Sequence, residues 1–267
     1  MEQALQVWSM MGRVIMATFT SPLFILLYVM LFAIVAWQYK RMEEMSARLV
    51  DIKRRKYLLS ALFSTLVGLL GGVLGSIVLV LVGIDLNNIG LMQLWVIAIL
   101  LMFINPRFLC FAYAGGLLSL FALLTGLIDI NIAQLLALVA VLHLVESILI
   151  LINGHFLAVP LYVKKRTGIQ GGFNLQKFWP IPLIALVSIG YGDASGGVAM
   201  PSWWPLLRDY TGFSSEQNYA LLPVLAILGY GDISTTRTPR ARARQSAFNL
   251  FAWAICKASS LIREVEF

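Results

Sequence analysis

Apolar residues in this chain run in long unbroken stretches separated by short polar or basic connections, and they lack the spaced apolar stripe of a soluble amphipathic helix. The hydrocarbon core of a bilayer, about 30 Å thick, takes about 20 apolar residues as one helix. On that measure the pattern predicts spans over Leu23–Gln38, Tyr57–Gly83, Leu91–Ile104, Leu109–Ile128 and Ile132–Ile152. A sixth is expected near Ile181–Gly197 and a seventh near Ala220–Ile233, each ending in or interrupted by glycines. Ala247–Cys256 is apolar for only ten residues and reads as an interfacial segment or as an eighth helix cut short. The expected fold is all-α: a polytopic transmembrane bundle of seven spans, with six to eight as the range, over residues 21–262. Residues 1–20 read as an interfacial amphipathic segment. Glu2 and the missing basic run argue against a signal peptide.

Composition narrows the classes. Of 267 residues, 60% are hydrophobic and 12% charged, against roughly 25% charged in soluble domains. A solvated surface cannot be built from this inventory, which excludes a soluble enzyme, a secreted disulfide scaffold and a nucleic-acid module. The net charge of +7 has a topological reading, because Lys and Arg accumulate in cytoplasmic loops. Lys40, Arg41, Arg48 and Lys53 to Lys56 follow the first span, Arg107 the third, Lys164, Lys165, Arg166 and Lys177 the fifth, and Arg237, Arg240, Arg242 and Arg244 the seventh. Alternating spans put these four connections, with sixteen of the twenty basic residues, on the cytoplasmic side. Residues 153–180 and 234–246 are then cytoplasmic loops. Residues 39–56, with Met42, Met45, Leu49 and Ile52 at helical spacing, form a basic surface helix. Lys53, Arg54, Arg55, Lys56, Arg240, Arg242 and Arg244 are the candidate contacts to partners or anionic lipid.

Other constellations carry less. Gly68, Gly71, Gly72 and Gly75 make overlapping small-xxx-small pairs, suited to close helix packing within the chain and, second, to a homo-oligomer. His143 and Glu146 share one face of the fifth span; they suit an interhelical hydrogen bond first and a proton relay second. With only His155 besides, no zinc-protease ligand set is available, and neither metal nor cofactor is expected. Gly190-Tyr191-Gly192-Asp193 and Gly229-Tyr230-Gly231-Asp232 resemble a potassium-channel filter, but the 35 residues between them leave no room for the helices a pore needs. They read better as an inverted pair of glycine-broken helices, which keeps a small-solute or ion transporter using His143 and Glu146 as the second function. Phe173, Phe178 and Trp179 are expected as headgroup anchors. Cys110 and Cys256 sit in apolar surroundings and suggest no disulfide framework.

Several segments together carry a resemblance. They are Ser21-Pro22-Leu23-Phe24 before a basic helix, His143-Leu144-Val145-Glu146-Ser147, Gly171-Gly172-Phe173-Asn174-Leu175-Gln176-Lys177-Phe178-Trp179-Pro180-Ile181-Pro182, and Gly229-Tyr230-Gly231-Asp232-Ile233 leading to Ser246-Ala247. The chain resembles the membrane module of the MinJ-type cell-division topological determinants of Gram-positive bacteria, which carry a C-terminal PDZ domain. That resemblance implies a non-enzymatic scaffold in the cytoplasmic membrane, enriched at septum and poles, bridging a DivIVA-like polar protein and the MinD-like partner of the MinCD inhibitor. No PDZ-like carboxylate-binding loop occurs before Phe267, so a truncated or divergent member is expected.

Overall fold

The computed structural model describes residues 2–47, 57–104, 111–165, 168–191, 204–205 and 217–263. Among the described residues there are seven α-helices: α1 (Glu2–Thr20), α2 (Pro22–Ala47), α3 (Tyr57–Val82), α4 (Leu91–Ile104), α5 (Phe111–Thr125), α6 (Ile132–Asn153) and α7 (Pro239–Arg263). Three strands accompany them: β1 (Val159–Lys165), β2 (Gly168–Tyr191) and β3 (Gln217–Ser234), in one antiparallel sheet of order β1-β2-β3.

The fold is therefore mixed α/β, and the all-α expectation is wrong. Among the described residues three helices are long and apolar enough to cross a membrane, Pro22–Glu44 of α2, α3 and α6, where seven were expected. The third and fourth expected spans exist as α4 and α5, of 14 and 15 residues. At 1.5 Å per residue they fall short of a 30 Å core. Residues 181–191 of the sixth lie in β2 and the seventh lies in β3, its antiparallel partner, so the two form a hairpin; residues 192–197 of the sixth lie outside the described residues. Pro180 and Pro182, two residues apart, each remove a helical hydrogen bond and suit an extended backbone instead. The hydropathy profile misleads because β2 is buried on both faces. Leu175, Trp179, Ile181, Leu183 and Ala185 enter the main core, while Phe178 and Leu186 enter two others. A strand covered on both sides reads as a continuous apolar run.

The architecture is set by how β2 lies along α3. Successive backbone N–H groups of a strand point to alternate edges, so half of those in β2 face away from β3. β1 covers that outer edge only as far as Asn174. Beyond it the outward donors of Phe178, Ile184 and Ser188 are answered, and at the two prolines they are absent. Phe178 N donates to the Tyr39 hydroxyl at 3.2 Å, Ile184 N to Ser76 Oγ at 2.8 Å and Ser188 N to Asp85 Oδ1 at 3.1 Å. Pro180 and Pro182 have no N–H to satisfy, and Leu186 pairs with Asp85 in a short parallel bridge. Tyr28 donates to the Pro180 carbonyl at 3.3 Å, and Asn87 Nδ2 to that of Ser188 at 2.6 Å. An open sheet edge is not tolerated in hydrocarbon, and here the helices close it.

Glycines make that approach feasible. A Cβ on Gly68 would sit 2.5 Å from the Pro180 carbonyl oxygen, and one on Gly72 would strike that of Pro182. Gly71 faces Leu149 of α6, and Gly75 sits between Leu183 of β2 and Val145 of α6. The small-residue stripe thus serves a strand on one side and a helix on the other. Tyr39, Ser64 and Asn153 link α2, α3 and α6 in a chain of 2.8 and 3.1 Å hydrogen bonds.

α1 packs onto the same hairpin: Met11 is buried with Val80, Leu186, Trp204 and Tyr219. α7 lies along α6, where Ala243 and Ala247 join the core. Around this interior runs a belt of exposed apolar side chains, including Leu23, Leu26, Leu70, Leu100, Leu124 and Phe248. So large an exposed apolar surface marks contact with a membrane or a partner.

The glycines separate two outcomes. Gly72→Ala should lower stability in detergent by about 1–3 kcal/mol through overpacking against the Pro182 carbonyl. Gly116→Ala, with open space around its Cβ, should raise it by about 0.5–1 kcal/mol through helix propensity. Thermal unfolding of both variants checks the contrast.

Candidate functional site at the basic end

One end of the molecule gathers the C-terminal ends of α2 and α6, the start of α3, β1, the first part of β2, the end of β3 and the start of α7. The Tyr39–Ser64–Asn153 chain and the Phe178-to-Tyr39 bond tie the helices and β2 together there. The register brings in the other strands, with Val159 opposite Asn174 and Ser234 opposite Phe173. Lys40, His155, Lys177, Arg237, Arg240, Arg242 and Arg244 all belong to this end. Its counterpart at the far end carries Asp85, Asn87, Gln134 and Ser188, joined by hydrogen bonds.

The three arginines opening α7 do different work. Residues two apart on a helix point to nearly opposite sides, and residues four apart share a face. Arg242 turns inward and clasps Asp232 with two bonds, Nε to Oδ2 at 2.8 Å and Nη2 to Oδ1 at 3.1 Å. Ser246 Oγ donates to Asp232 Oδ2 at 2.7 Å, and Ile233 N to Oδ1 at 2.8 Å. Burial alone would push the Asp232 carboxyl up, but the bonds from Arg242, Ser246 and Ile233 outweigh it and hold it below the ordinary carboxylate range. Arg242 is correspondingly held in its charged form, chiefly by its bond to Asp232. This bidentate pair pins α7 to β3, and Arg237 adds a 2.8 Å bond to Gln245.

Arg240 and Arg244 are exposed and share the other face. His155, in the turn after α6, lies within their field. Burial first, then the positive charges of Arg240, Lys177 and Arg244, push its ring below the ordinary histidine value. A neutral histidine beside two exposed guanidiniums makes a surface that favours anions. Lys177 backs this surface from inside. It is almost fully buried, its Nζ donates to the Phe156 carbonyl, and the ammonium sits 5.5 Å over the Tyr39 ring.

The other sequence candidates are dispersed. Lys53, Arg54, Arg55 and Lys56 lie outside the described residues. The first part of the expected surface helix continues α2, with Met42 buried and Lys40 3.9 Å from Glu44. His143 and Glu146 are both buried on α6; His143 meets Trp253 of α7 edge-to-face at 6.2 Å, and Lys257 lies 4.3 Å over that same indole. Phe173 is exposed as an anchor would be, but Phe178 and Trp179 are buried in the core. The second glycine-tyrosine repeat is a stretch of β3, and Gly190 and Tyr191 of the first end β2, so neither breaks a helix. Among the described residues no group of acidic, histidine and cysteine side chains could hold a metal. Sequence reasoning missed Asp232 and Ser246 as partners of Arg242. An acid ten residues before an arginine gives no local signal, and only the turn between β3 and α7 brings them together. No family model, curated protein or solved structure matches the chain.

The Asp232 clasp has a pH signature. A carboxyl whose folded value lies below its unfolded one stabilises the fold above the ordinary carboxylate range, and that contribution is lost as pH falls towards the folded value. Stability in detergent should therefore decline below about pH 4, and Asp232→Ala should flatten that decline. The variant should also cost about 2 kcal/mol and speed amide exchange over residues 239–247, which hydrogen-exchange mass spectrometry would read.

Proposed function

We propose that this chain is a non-enzymatic, multi-pass scaffold of the plasma membrane whose basic end engages acidic protein surfaces or anionic headgroups. The observation that carries the reading is the division of labour on α7. Arg242 is spent on Asp232, which fixes the helix, while Arg240 and Arg244 face outward beside His155 with Lys177 behind them. Exposed guanidiniums on a rigid, pinned helix suit recognition of carboxylate or phosphate groups.

The resemblance to the MinJ-type determinants gives this scaffold a biological setting. In that setting the chain helps place the division septum by bridging a DivIVA-like polar protein and a MinD-like inhibitor partner. The transporter reading is weaker than the sequence suggested, because its glycine-broken helices are strands. It keeps only the buried Glu146 and His143 of α6.

A fluorescent fusion of the whole chain in a rod-shaped Gram-positive host is expected to concentrate at septa and poles. Arg240→Glu with Arg244→Glu should spread it evenly over the membrane without lowering the amount inserted. An even distribution of the unaltered chain would contradict the division-site setting.

A further inference from the structure

A cavity of about 260 Å³ lies between the α1–α2 junction, α3 and the β2–β3 hairpin. Its walls include Phe19 of α1, Phe24 of α2, Leu69 and Val73 of α3, and Pro182 and Ile184 of the sheet. Two hydroxyl-bearing residues, Thr18 and Ser76, line it, and Ser76 is engaged, donating to the Gly72 carbonyl at 2.6 Å and accepting from Ile184 N at 2.8 Å. Apolar cavities of roughly 150 Å³ stay dry and take up apolar molecules, so water is a poor occupant.

Its mouth shows what fills it. Phe19 of α1 and Val73 of α3, both in its lining, are 41% and 45% exposed. Each continues into the apolar belt, Phe19 towards Met16 and Leu23 and Val73 towards Leu70 and Leu74. A cavity that opens through this belt is open to lipid tails. We propose that it is a binding site for one acyl chain of a membrane phospholipid, inserted between α1 and α3 against the outer face of the hairpin. The chain seals the sheet where the prolines and the Ser76 bond already leave no free donor, and it props the α1–α2 junction away from α3. A substituent that fills the space should displace it, because the walls are fixed by the hairpin behind them.

The test uses the full chain purified in mild detergent, with phosphatidylcholine as the probe and native mass spectrometry as the readout. The unaltered protein is expected to retain one phospholipid per chain through exchange into delipidating detergent. Val73→Trp should reduce that retained fraction at least tenfold, whereas Leu26→Trp, elsewhere on the belt, should leave it unchanged. Leu69→Phe provides the same block if Val73→Trp does not fold. Added phosphatidylcholine should also raise the unfolding temperature of the unaltered protein and not that of the filled variant. Loss of all lipid from the unaltered protein, or equal retention by the filled and control variants, would overturn the proposal.

Discussion

The structure depends on closing one edge of β2. A long strand placed among membrane-type helices carries a row of backbone donors and acceptors, and each one left unsatisfied in an apolar interior costs several kcal/mol. This chain removes two donors with Pro180 and Pro182 and supplies Tyr39, Ser76 and Asp85 for others. Gly68 and Gly72 bring α3 close enough for its backbone to lie against the proline carbonyls. The order of elements follows from that requirement. α3 must lie along β2, α2 must supply Tyr28 and Tyr39 from one flank, and the turn after α3 must present Asp85 at the far end.

That constraint explains what could be read from the sequence. The helices α2, α3 and α6 announce themselves by length and hydropathy, and those signals hold in any apolar environment. The hairpin does not. Ile181 to Ser188 is as apolar as a helical span because both faces of the strand are covered, so periodicity carries no information there. The two prolines were the available clue. The stripe from Gly68 to Gly75 was legible as a close-packing surface, but its partner was not. A small residue specifies that something approaches, and the sequence is silent on whether a helix or a strand does so.

The basic end shows the same division. The charges that cluster there could be listed from the sequence, and the alternation of helix and hairpin does bring described basic residues together. Their roles could not be listed. Arg240, Arg242 and Arg244 look equivalent as letters, but helical geometry turns the middle one to Asp232 and leaves the outer two on the surface. The scaffold reading therefore rests on Arg240 and Arg244, with Arg242 as the fastener that holds them in place.

The most direct measurement of the edge-sealing account is amide hydrogen exchange at Ile184 in the unaltered chain and in Ser76→Ala. The account predicts that Ile184 N–H is protected to the level of global unfolding, and that removing the Ser76 hydroxyl speeds its exchange while Phe178 and Ser188 stay protected. An Ile184 amide that exchanges at the same rate in both proteins would contradict it.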